Sequence, residues 1–313
     1  MFSGRTNYGI SIQSRLHPVR EAAISPAHLA FTGPARPADD ILPLFYDYGF
    51  RIRYDRLMPD FQHVEGKVRG PRGIHIAMWS GPRTISTALM RSWESRGDTF
   101  VCDEPLYAHY LAVTGAAHPG RDEIISRCET DWGRVAMWLS GPVPNGKAIF
   151  YQKHMAHHLL PGMSGEWLNG LRNAFLIRDP EEMLTSLSKV MPEPRIEDTG
   201  LPQQLDIFRR TCETAHVIPP VIDARDVLED PRRLLERLCR ALGVEFSTRM
   251  LSWRAGPRTT DGVWAPYWYA NVESSTCFNA YKPPTSVLPS RLRALEQRCR
   301  TYYDELYRHR LTA

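Results

Sequence analysis

Lysine is scarce in this chain of 313 residues: only five of its 39 basic residues are lysine, and the net charge is +4. So small an excess, without a clustered basic face, argues against nucleic acid as a partner. No apolar run approaches the roughly 18 residues that a membrane-spanning helix needs, so we expect no membrane contact of that kind. The six cysteines form no Cys-x-x-Cys pair, and we expect them to be reduced. With 42% hydrophobic and 24% charged residues, the composition is that of a globular protein.

Residues 1–70 differ in character from the rest of the chain. They lack regular periodicity, mix Ser, Pro and Arg, and contain Glu21 as the only acid before Asp39. We interpret them as a partly irregular N-terminal arm that precedes a main domain over residues 71–313. The arm has no signal-peptide core, which favours a cytoplasmic location, and its Arg-rich, acid-poor composition leaves an organelle transit peptide as the alternative.

From residue 73 onward, short apolar runs alternate with helical segments. The predicted strands cover residues 74–79, 99–102, 148–152, 174–177 and 221–223. The predicted helices cover residues 86–95, 122–139, 180–190, 205–215, 231–242 and 291–308. This alternation predicts an α/β fold with a parallel β-sheet flanked by helices. Residues 253–281, rich in Trp, Tyr, Gly and Pro, are predicted to form a long folded loop. Its aromatic rings, among them Trp264 and Tyr269, are expected to serve packing, and the alternative is that they line a pocket for the acceptor.

An anion site is predicted where the first strand meets the first helix. Residues 80–87 read Ser-Gly-Pro-Arg-Thr-Ile-Ser-Thr. Unpaired backbone N–H groups and the positive end of the helix dipole attract an anion there, and Arg83, Ser86 and Thr87 add further donors. Alternatively, Ser86 and Thr87 only cap the helix, although capping does not require Arg83. The pattern Gly-x-x-x-x-Gly-Lys-Ser/Thr is absent, which argues against a nucleoside-triphosphate hydrolase.

A second anion site is predicted at the end of the fourth strand. Arg178 stands at the strand end in Arg-Asp-Pro, and Ser186 follows about two turns into the next helix. In parallel sheets this edge is where ligands bind, and the two side chains are spaced to hold one anion from two sides. The alternative is an ordinary surface ion pair between Arg178 and a nearby acid: Asp179, Glu181 or Glu182.

Together the two motifs resemble those of the sulfotransferases that use 3′-phosphoadenosine-5′-phosphosulfate (PAPS). In that family the first loop commonly reads Pro-Lys/Arg-Ser-Gly-Thr-Thr, whereas this chain has Ile85 in place of Gly. The second motif is Arg-Asp/Asn-Pro with Ser eight residues after the Arg, as here. The resemblance covers residues 74–243 and implies a P-loop-like sulfotransferase fold with PAPS as co-substrate and no metal. The donor contacts that it implies are Arg83, Thr84, Ile85, Ser86, Thr87, Arg178 and Ser186.

The resemblance also implies a catalytic base, for which there are two candidates. Aligning the family's Leu-Leu-Pro on residues 159–161 places its catalytic His at His154. Other branches of the family have a Glu just past the first helix, which corresponds to Glu104. The neighbouring His157 and His158 raise the alternative of a metal site, which we do not expect because sulfonate transfer needs no metal and a carboxylate partner is missing.

The activity implied by the resemblance is transfer of a sulfonate group from PAPS to a hydroxyl or amine of a small-molecule acceptor. The base, His154 or Glu104, would remove the acceptor proton, and Arg83 would stabilise charge on the departing phosphate oxygen. Two other functions remain open: a P-loop-like small-molecule kinase and a non-catalytic nucleotide-binding domain. These motifs specify neither the acceptor nor the oligomeric state.

Overall fold

The computed structural model describes residues 73–283 and 285–312, and a parallel five-stranded sheet lies at its centre. The strands are β1 (Ile74–Ser80), β2 (Thr99–Asp103), β3 (Ile149–Met155), β4 (Arg172–Ile177) and β5 (Val221–Asp223). Their order across the sheet is β2-β3-β1-β4-β5, and every pairing is parallel. Because β1 is central, the chain turns to one side of it for β2 and β3 and to the other side for β4 and β5.

Helices connect these strands and cover both faces of the sheet. The α-helices are α1 (Ser86–Glu94), α2 (Tyr107–Thr114), α3 (Arg121–Arg127), α4 (Trp132–Ser140), α5 (Pro180–Leu187), α6 (Leu201–Ala215), α7 (Ala224–Glu229), α8 (Pro231–Ala241), α9 (Ala265–Trp268), α10 (Ala270–Glu273) and α11 (Arg293–Tyr307). Short 3-10 helices cover Pro144–Gly146, Ala156–His158, Glu166–Gly170, Glu197–Thr199, Thr248–Leu251 and Ser290–Leu292. Within the described residues, no helix is long and apolar enough to cross a membrane.

The core lies on both sides of the sheet because alternate residues of a strand point to opposite faces. On β1, Ile76 and Met78 pack with residues of α1 and α8, whereas Ala77 and Trp79 pack with residues of α6 and α11. All four of these β1 side chains are fully buried. A central strand covered on both faces explains why β1 reads as a nearly continuous apolar run.

The predicted α/β fold and its parallel sheet are confirmed, and each predicted strand is present. The single helix predicted over residues 122–139 is wrong, because two helices, α3 and α4, occupy this region. Cys128 has an extended backbone, and the Asp131 carboxylate accepts hydrogen bonds from the N–H groups of Gly133 and Arg134, which starts a new helix. The predicted arm over residues 1–70 lies outside the described residues.

The aromatic segment over residues 253–281 folds mainly as irregular backbone with α9 and α10 inside it. Trp264 and Tyr269 are buried, and their rings pack with residues of α2 and α3, so the predicted packing is confirmed for these two rings. Tyr267 and Trp268 remain partly exposed, at 42% and 39% of their surface. The segment thus lies beside the end of β2, at the edge where parallel strands place ligand-binding residues.

Candidate active site

The loop between β1 and α1 has the features of an anion site. Ile85 occupies the N-cap position of α1, and its aliphatic side chain offers no oxygen to the helix N–H groups. The alternative prediction, in which Ser86 or Thr87 caps the helix, is therefore wrong, since both lie inside the first turn. The first N–H groups of α1 therefore have no capping oxygen from a side chain. The start of the helix presents these N–H groups together with the hydroxyls of Ser86 and Thr87.

Two positions of this loop explain its tight path. A Cβ atom at Gly81 would lie 2.4 Å from the carbonyl oxygen of Thr199, so only glycine fits there. Arg83 has a left-handed backbone (φ +57°), which costs an L-residue about 1–2 kcal/mol. Ile85, where the family has glycine, has φ −93°, a value that any residue adopts. The strain therefore falls on Arg83, and Ile85 needs no glycine-like freedom.

The two predicted anion motifs meet at the ends of the neighbouring strands β1 and β4. Arg83 Nε donates a 3.0 Å hydrogen bond to Ser186 Oγ, and Arg178 Nη1 donates a 2.7 Å hydrogen bond to the Arg83 carbonyl oxygen. We call Arg83, Arg178 and Ser186 the arginine cradle. Burial and the nearby positive charge of Arg178 lower the pKa of Arg83. Two neighbouring guanidinium groups whose charges act on each other favour a bound anion.

Arg178 also forms the ion pair that was the alternative prediction, with Glu182 at 3.2 Å. Glu182 in turn accepts a 2.6 Å hydrogen bond from the hydroxyl of Tyr281. The guanidinium of Arg225 lies 4.5 Å from the centre of the Tyr281 ring. Tyr281 and Arg225 thus border the cradle, although no sequence pattern pointed to them.

A second group of polar residues lies at the ends of β2 and β3. Lys153 Nζ is 2.8 Å from Asp103 Oδ1, 2.5 Å from Glu104 Oε1 and 2.9 Å from the Tyr269 hydroxyl. These four residues are called the Lys153 cluster below. The side chains of Lys153 and Asp103 are 1% exposed, whereas that of Glu104 is 12% exposed. Glu104 is thus the carboxylate of this cluster that reaches the surface.

The backbone and the surroundings of Glu104 set it apart from an ordinary surface acid. It has φ +40°, and its N–H donates a 2.9 Å hydrogen bond to the carbonyl oxygen of Lys153. Strained non-glycine residues of this kind cluster at functional sites. Burial raises the pKa of the Glu104 carboxyl, and the positive charge of Lys153 opposes that rise. A raised pKa makes a carboxylate a stronger base.

His154, the other candidate base, lies on the opposite face of β3 from Lys153 because the two are consecutive. Its ring stacks on Trp79 at 4.3 Å, and its Nε2 is 3.2 Å from Gln152 Oε1. The residue is 1% exposed, and burial lowers its pKa to about 3. Such an imidazole stays neutral at physiological pH and binds a proton weakly.

The other two histidines of the predicted cluster take part in ring contacts. His158 stacks on Tyr107 at 4.5 Å, and His157 contacts Tyr110 edge to face at 5.3 Å. In the described part of the chain, no group of three or more His, Cys, Asp or Glu side chains is placed to hold a metal ion.

A family model described as a sulfotransferase domain matches residues 74–304, which include the arginine cradle and the Lys153 cluster. The chain belongs to the sulfotransferase domain family. The predicted family resemblance is therefore confirmed, and it extends further toward the C-terminus than residue 243.

Two proteins of Arabidopsis thaliana are similar to this sulfotransferase domain in sequence. Branched-chain-amino-acid aminotransferase-like protein 1 is 38% identical over 242 residues, which are 76% of this chain and 42% of that protein. Branched-chain-amino-acid aminotransferase-like protein 2 is 35% identical over 234 residues, which are 75% of this chain and 41% of that protein. The chain thus spans less than half the length of the curated relatives it matches.

Solved sulfotransferase structures align with most of the chain. The sulfotransferase domain from the curacin biosynthetic pathway covers 74% of it and is itself covered to 98%, with 15% identity and a TM-score of 0.36. The domain from the Synechococcus PCC 7002 olefin synthase covers 76% and is covered to 98%, with 14% identity and a TM-score of 0.41. The sulfotransferase from Alicyclobacillus acidocaldarius covers 76% and is covered to 97%, with 12% identity and a TM-score of 0.45.

Proposed function

We propose that this protein transfers a sulfonate group from PAPS to a hydroxyl or amine of a small-molecule acceptor. The observation that carries the proposal is the contact between the two predicted anion motifs. Arg83 and Ser186 are 103 residues apart in the chain, yet their side chains lie 3.0 Å apart at Nε and Oγ. A donor with anionic groups at both its 5′ and 3′ positions requires two such motifs at one edge of the sheet.

In this proposal the 5′-phosphosulfate lies at the start of α1. The backbone N–H groups there, the hydroxyls of Ser86 and Thr87 and the Arg83 guanidinium act as its donors. Arg178 and Ser186 hold the 3′-phosphate, which distinguishes PAPS from ATP. In the structure, which holds no nucleotide, Arg83 bonds Ser186 and Arg178 bonds the Arg83 carbonyl oxygen. These hydrogen bonds keep both guanidinium groups near the places proposed for the two phosphates.

We further propose that Glu104, and not His154, is the base. The acceptor oxygen or nitrogen forms a bond to sulfur while the bond from sulfur to the 5′-phosphate oxygen breaks, and the acceptor proton passes to the Glu104 carboxylate. Glu104 reaches the surface, and its pKa is raised by burial. His154 is 1% exposed, and its pKa of about 3 makes it a poor proton acceptor.

Arg83 has a separate task in the proposed mechanism. Negative charge develops on the 5′-phosphate oxygen as it leaves sulfur. A guanidinium that is already in position stabilises this charge without having to move. The strained backbone of Arg83 and its hydrogen bond to Ser186 provide that advance positioning. We therefore expect Arg83 to act mainly on turnover.

The names of the two Arabidopsis relatives refer to an aminotransferase, and we do not extend that activity to this chain. The chain matches less than half of either relative.

The test has two stages with the full chain. Thermal unfolding with 3′-phosphoadenosine-5′-phosphate (PAP), the product nucleotide, should show a raised Tm, since saturation at about 100 times Kd stabilises by about 2.7 kcal/mol. PAPS labelled in its sulfonate group is then incubated with a panel of phenols, amines and alcohols, and we expect label in at least one acceptor.

The two other functions give different results in the same assays. Phosphoryl transfer from ATP, with no response to PAPS or PAP, would replace the proposal by a kinase. A nucleotide-binding domain without catalysis would show a Tm raised by PAP but no transfer of label to any acceptor. The rise in Tm would be the same in Glu104→Gln.

A further inference from the structure

The Lys153 cluster contains two carboxyl groups but one ammonium group, so its charges cannot pair one to one. Lys153 uses its three N–H bonds on Asp103, Glu104 and Tyr269. Asp103 and Glu104 therefore compete for the same cation. A stronger ion pair between Lys153 and Asp103 weakens the ion pair between Lys153 and Glu104, and the reverse also applies.

Asp103 accepts two hydrogen bonds in addition to the one from Lys153. Its Oδ2 accepts a 2.6 Å hydrogen bond from the Tyr269 hydroxyl and a 3.0 Å hydrogen bond from the backbone N–H of Gly262. Both donors belong to residues 261–269, which we call the aromatic strap. Trp264 Nε1 also donates to the Tyr269 hydroxyl at 3.3 Å, which fixes the orientation of that ring.

The aromatic strap is held at its other end by the helix that carries the anion loop. Arg91, in α1, donates a 2.7 Å hydrogen bond from Nη2 to Asp261 Oδ2, and its Nη1 lies 2.6 Å from Oδ1 in the same ion pair. Both side chains are buried, with 1% and 5% of their surface exposed. Hydrogen bonds between two ionised groups are stronger than neutral ones. The strap therefore links α1 to the carboxylate at the end of β2.

We propose that Asp103 and Tyr269 are positioning residues, which set how firmly Lys153 holds the Glu104 carboxylate and thereby how readily Glu104 accepts a proton. The inference rests on the proposed role of Glu104 as the base. Neither Asp103 nor Tyr269 has to touch the donor or the acceptor to have this effect.

The titratable groups that face Glu104 come from each element around it: Asp103 on β2, Lys153 on β3, Tyr107 on α2 and Tyr269 on the aromatic strap. Burial raises the pKa of Glu104, Lys153 lowers it and the negative charge of Asp103 raises it. Asp103→Asn removes that charge and leaves Lys153 to Glu104, so the pKa of Glu104 should fall. Tyr269→Phe removes a donor from Asp103 and also frees the third N–H of Lys153. Because Asp103 has lost a hydrogen bond, we expect it to accept that N–H and to draw Lys153 away from Glu104, so the pKa of Glu104 should rise.

The experiment follows the Glu104 carboxyl directly. The full chain is labelled with ¹³C in the glutamate side-chain carboxyl, and the Glu104 resonance is the one missing from Glu104→Gln. We expect its titration midpoint to move down by about one pH unit in Asp103→Asn, the size typical for a removed neighbouring charge. In Tyr269→Phe it should move up by a smaller amount, and in the double variant it should equal that of Asp103→Asn.

Tyr303→Phe is the matched control. The Tyr303 hydroxyl donates a 2.9 Å hydrogen bond to Asp223, the last residue of β5. The same kind of buried Tyr–Asp bond is thus removed at the outer strand farthest from β2. The Glu104 midpoint should not move in this variant. If Asp103→Asn does not fold, Tyr269→Phe carries the test, because it keeps the ring and changes no formal charge.

An unchanged Glu104 midpoint in Tyr269→Phe and in folded Asp103→Asn would overturn the inference. Label transfer from PAPS is measured in parallel and separates this failure from that of the proposed function. Transfer by the unmodified protein with unmoved midpoints would reject only the positioning roles. Shifted midpoints in a protein that transfers nothing would reject the proposed function and support the electrostatic coupling.

Discussion

The arginine cradle and the Lys153 cluster lie at the same edge of one sheet but are built in opposite ways. In the cradle both guanidinium groups are partly exposed, and among the described residues only Arg178 pairs with a carboxylate, that of Glu182. In the cluster, a buried ammonium group has two carboxylates and a hydroxyl as partners. The cradle therefore has positive charge available for a ligand, whereas the cluster uses its charge internally. Under the proposed function, the cradle binds the donor and the cluster adjusts the proton acceptor, Glu104.

The largest effect should come from the cluster, through Glu104→Gln. The amide keeps the shape of the side chain but cannot accept a proton, so kcat should fall about 10²-fold to 10⁴-fold, the range for loss of a general base. Affinity for PAP should be nearly unchanged, because the cradle is intact. Steady-state kinetics and calorimetric titration measure the two quantities.

Glu296→Gln serves as the control for Glu104→Gln. Glu296 is equally exposed, at 12%, and pairs with Arg300 on α11. Its replacement should leave kcat unchanged. A Glu104→Gln enzyme with normal kcat would remove Glu104 from the mechanism.

Arg83→Ala should have the next largest effect. Loss of preorganised charge stabilisation lowers kcat by about 10²-fold to 10³-fold in comparable sites. PAP affinity should fall much less. Alanine has the same penalty as arginine at φ +57°, so the strain of the loop does not change. Equal losses in kcat and in affinity would mean that Arg83 only binds the donor.

Arg178→Ala should mainly weaken donor binding. Loss of one charge-assisted contact of about 1.5–3 kcal/mol corresponds to roughly a tenfold to hundredfold higher Kd for PAP. Adenosine 5′-phosphate, which lacks the 3′-phosphate, should bind to the variant and the unmodified protein alike. Arg232→Ala, which breaks the exposed pair with Glu236 on α8, is the control. An equal loss for both nucleotides would place Arg178 away from the 3′-phosphate.

The smallest effect on catalysis should come from His154→Gln, which tests the other candidate base. We expect kcat/KM to change little and unfolding free energy to fall by about 1–2 kcal/mol, as for other buried side chains. A fall in kcat comparable with that of Glu104→Gln would restore His154 as the base.

The pH dependence of the unfolding free energy provides a second test of His154→Gln. The pKa of His154 is about 3 in the folded protein and 6.5 in the reference state. Below pH 6.5 the unfolded chain binds the proton more readily, so the contribution of His154 is present above pH 6.5 and is lost as the pH falls toward 3. Denaturant unfolding should show a shallower pH dependence over this range in His154→Gln than in the unmodified protein.

Part of the site could be predicted because its signals are local. The loop over residues 80–87 and the Arg-Asp-Pro motif each lie at a junction of strand and helix, which the apolar runs reveal. Parallel strands bring such junctions to one edge, so both motifs could be expected there. The direct hydrogen bonds between them were not predicted. The break between α3 and α4 was missed although Asp131 is a good N-cap residue, because the surrounding apolar residues continue the helical pattern.

By itself, the sequence determined the strands, most of the helices and the two anion motifs, because each depends on residues within about a dozen positions of one another. Only the tertiary structure decided which polar residues become partners. The Tyr269 hydroxyl reaches Asp103 across 166 residues of chain, and Lys153 Nζ reaches Glu104 Oε1 across 49 residues. Burial and charge pairing depend on those long-range contacts. Burial and charge pairing, and not residue type, make Glu104 rather than His154 the proposed base.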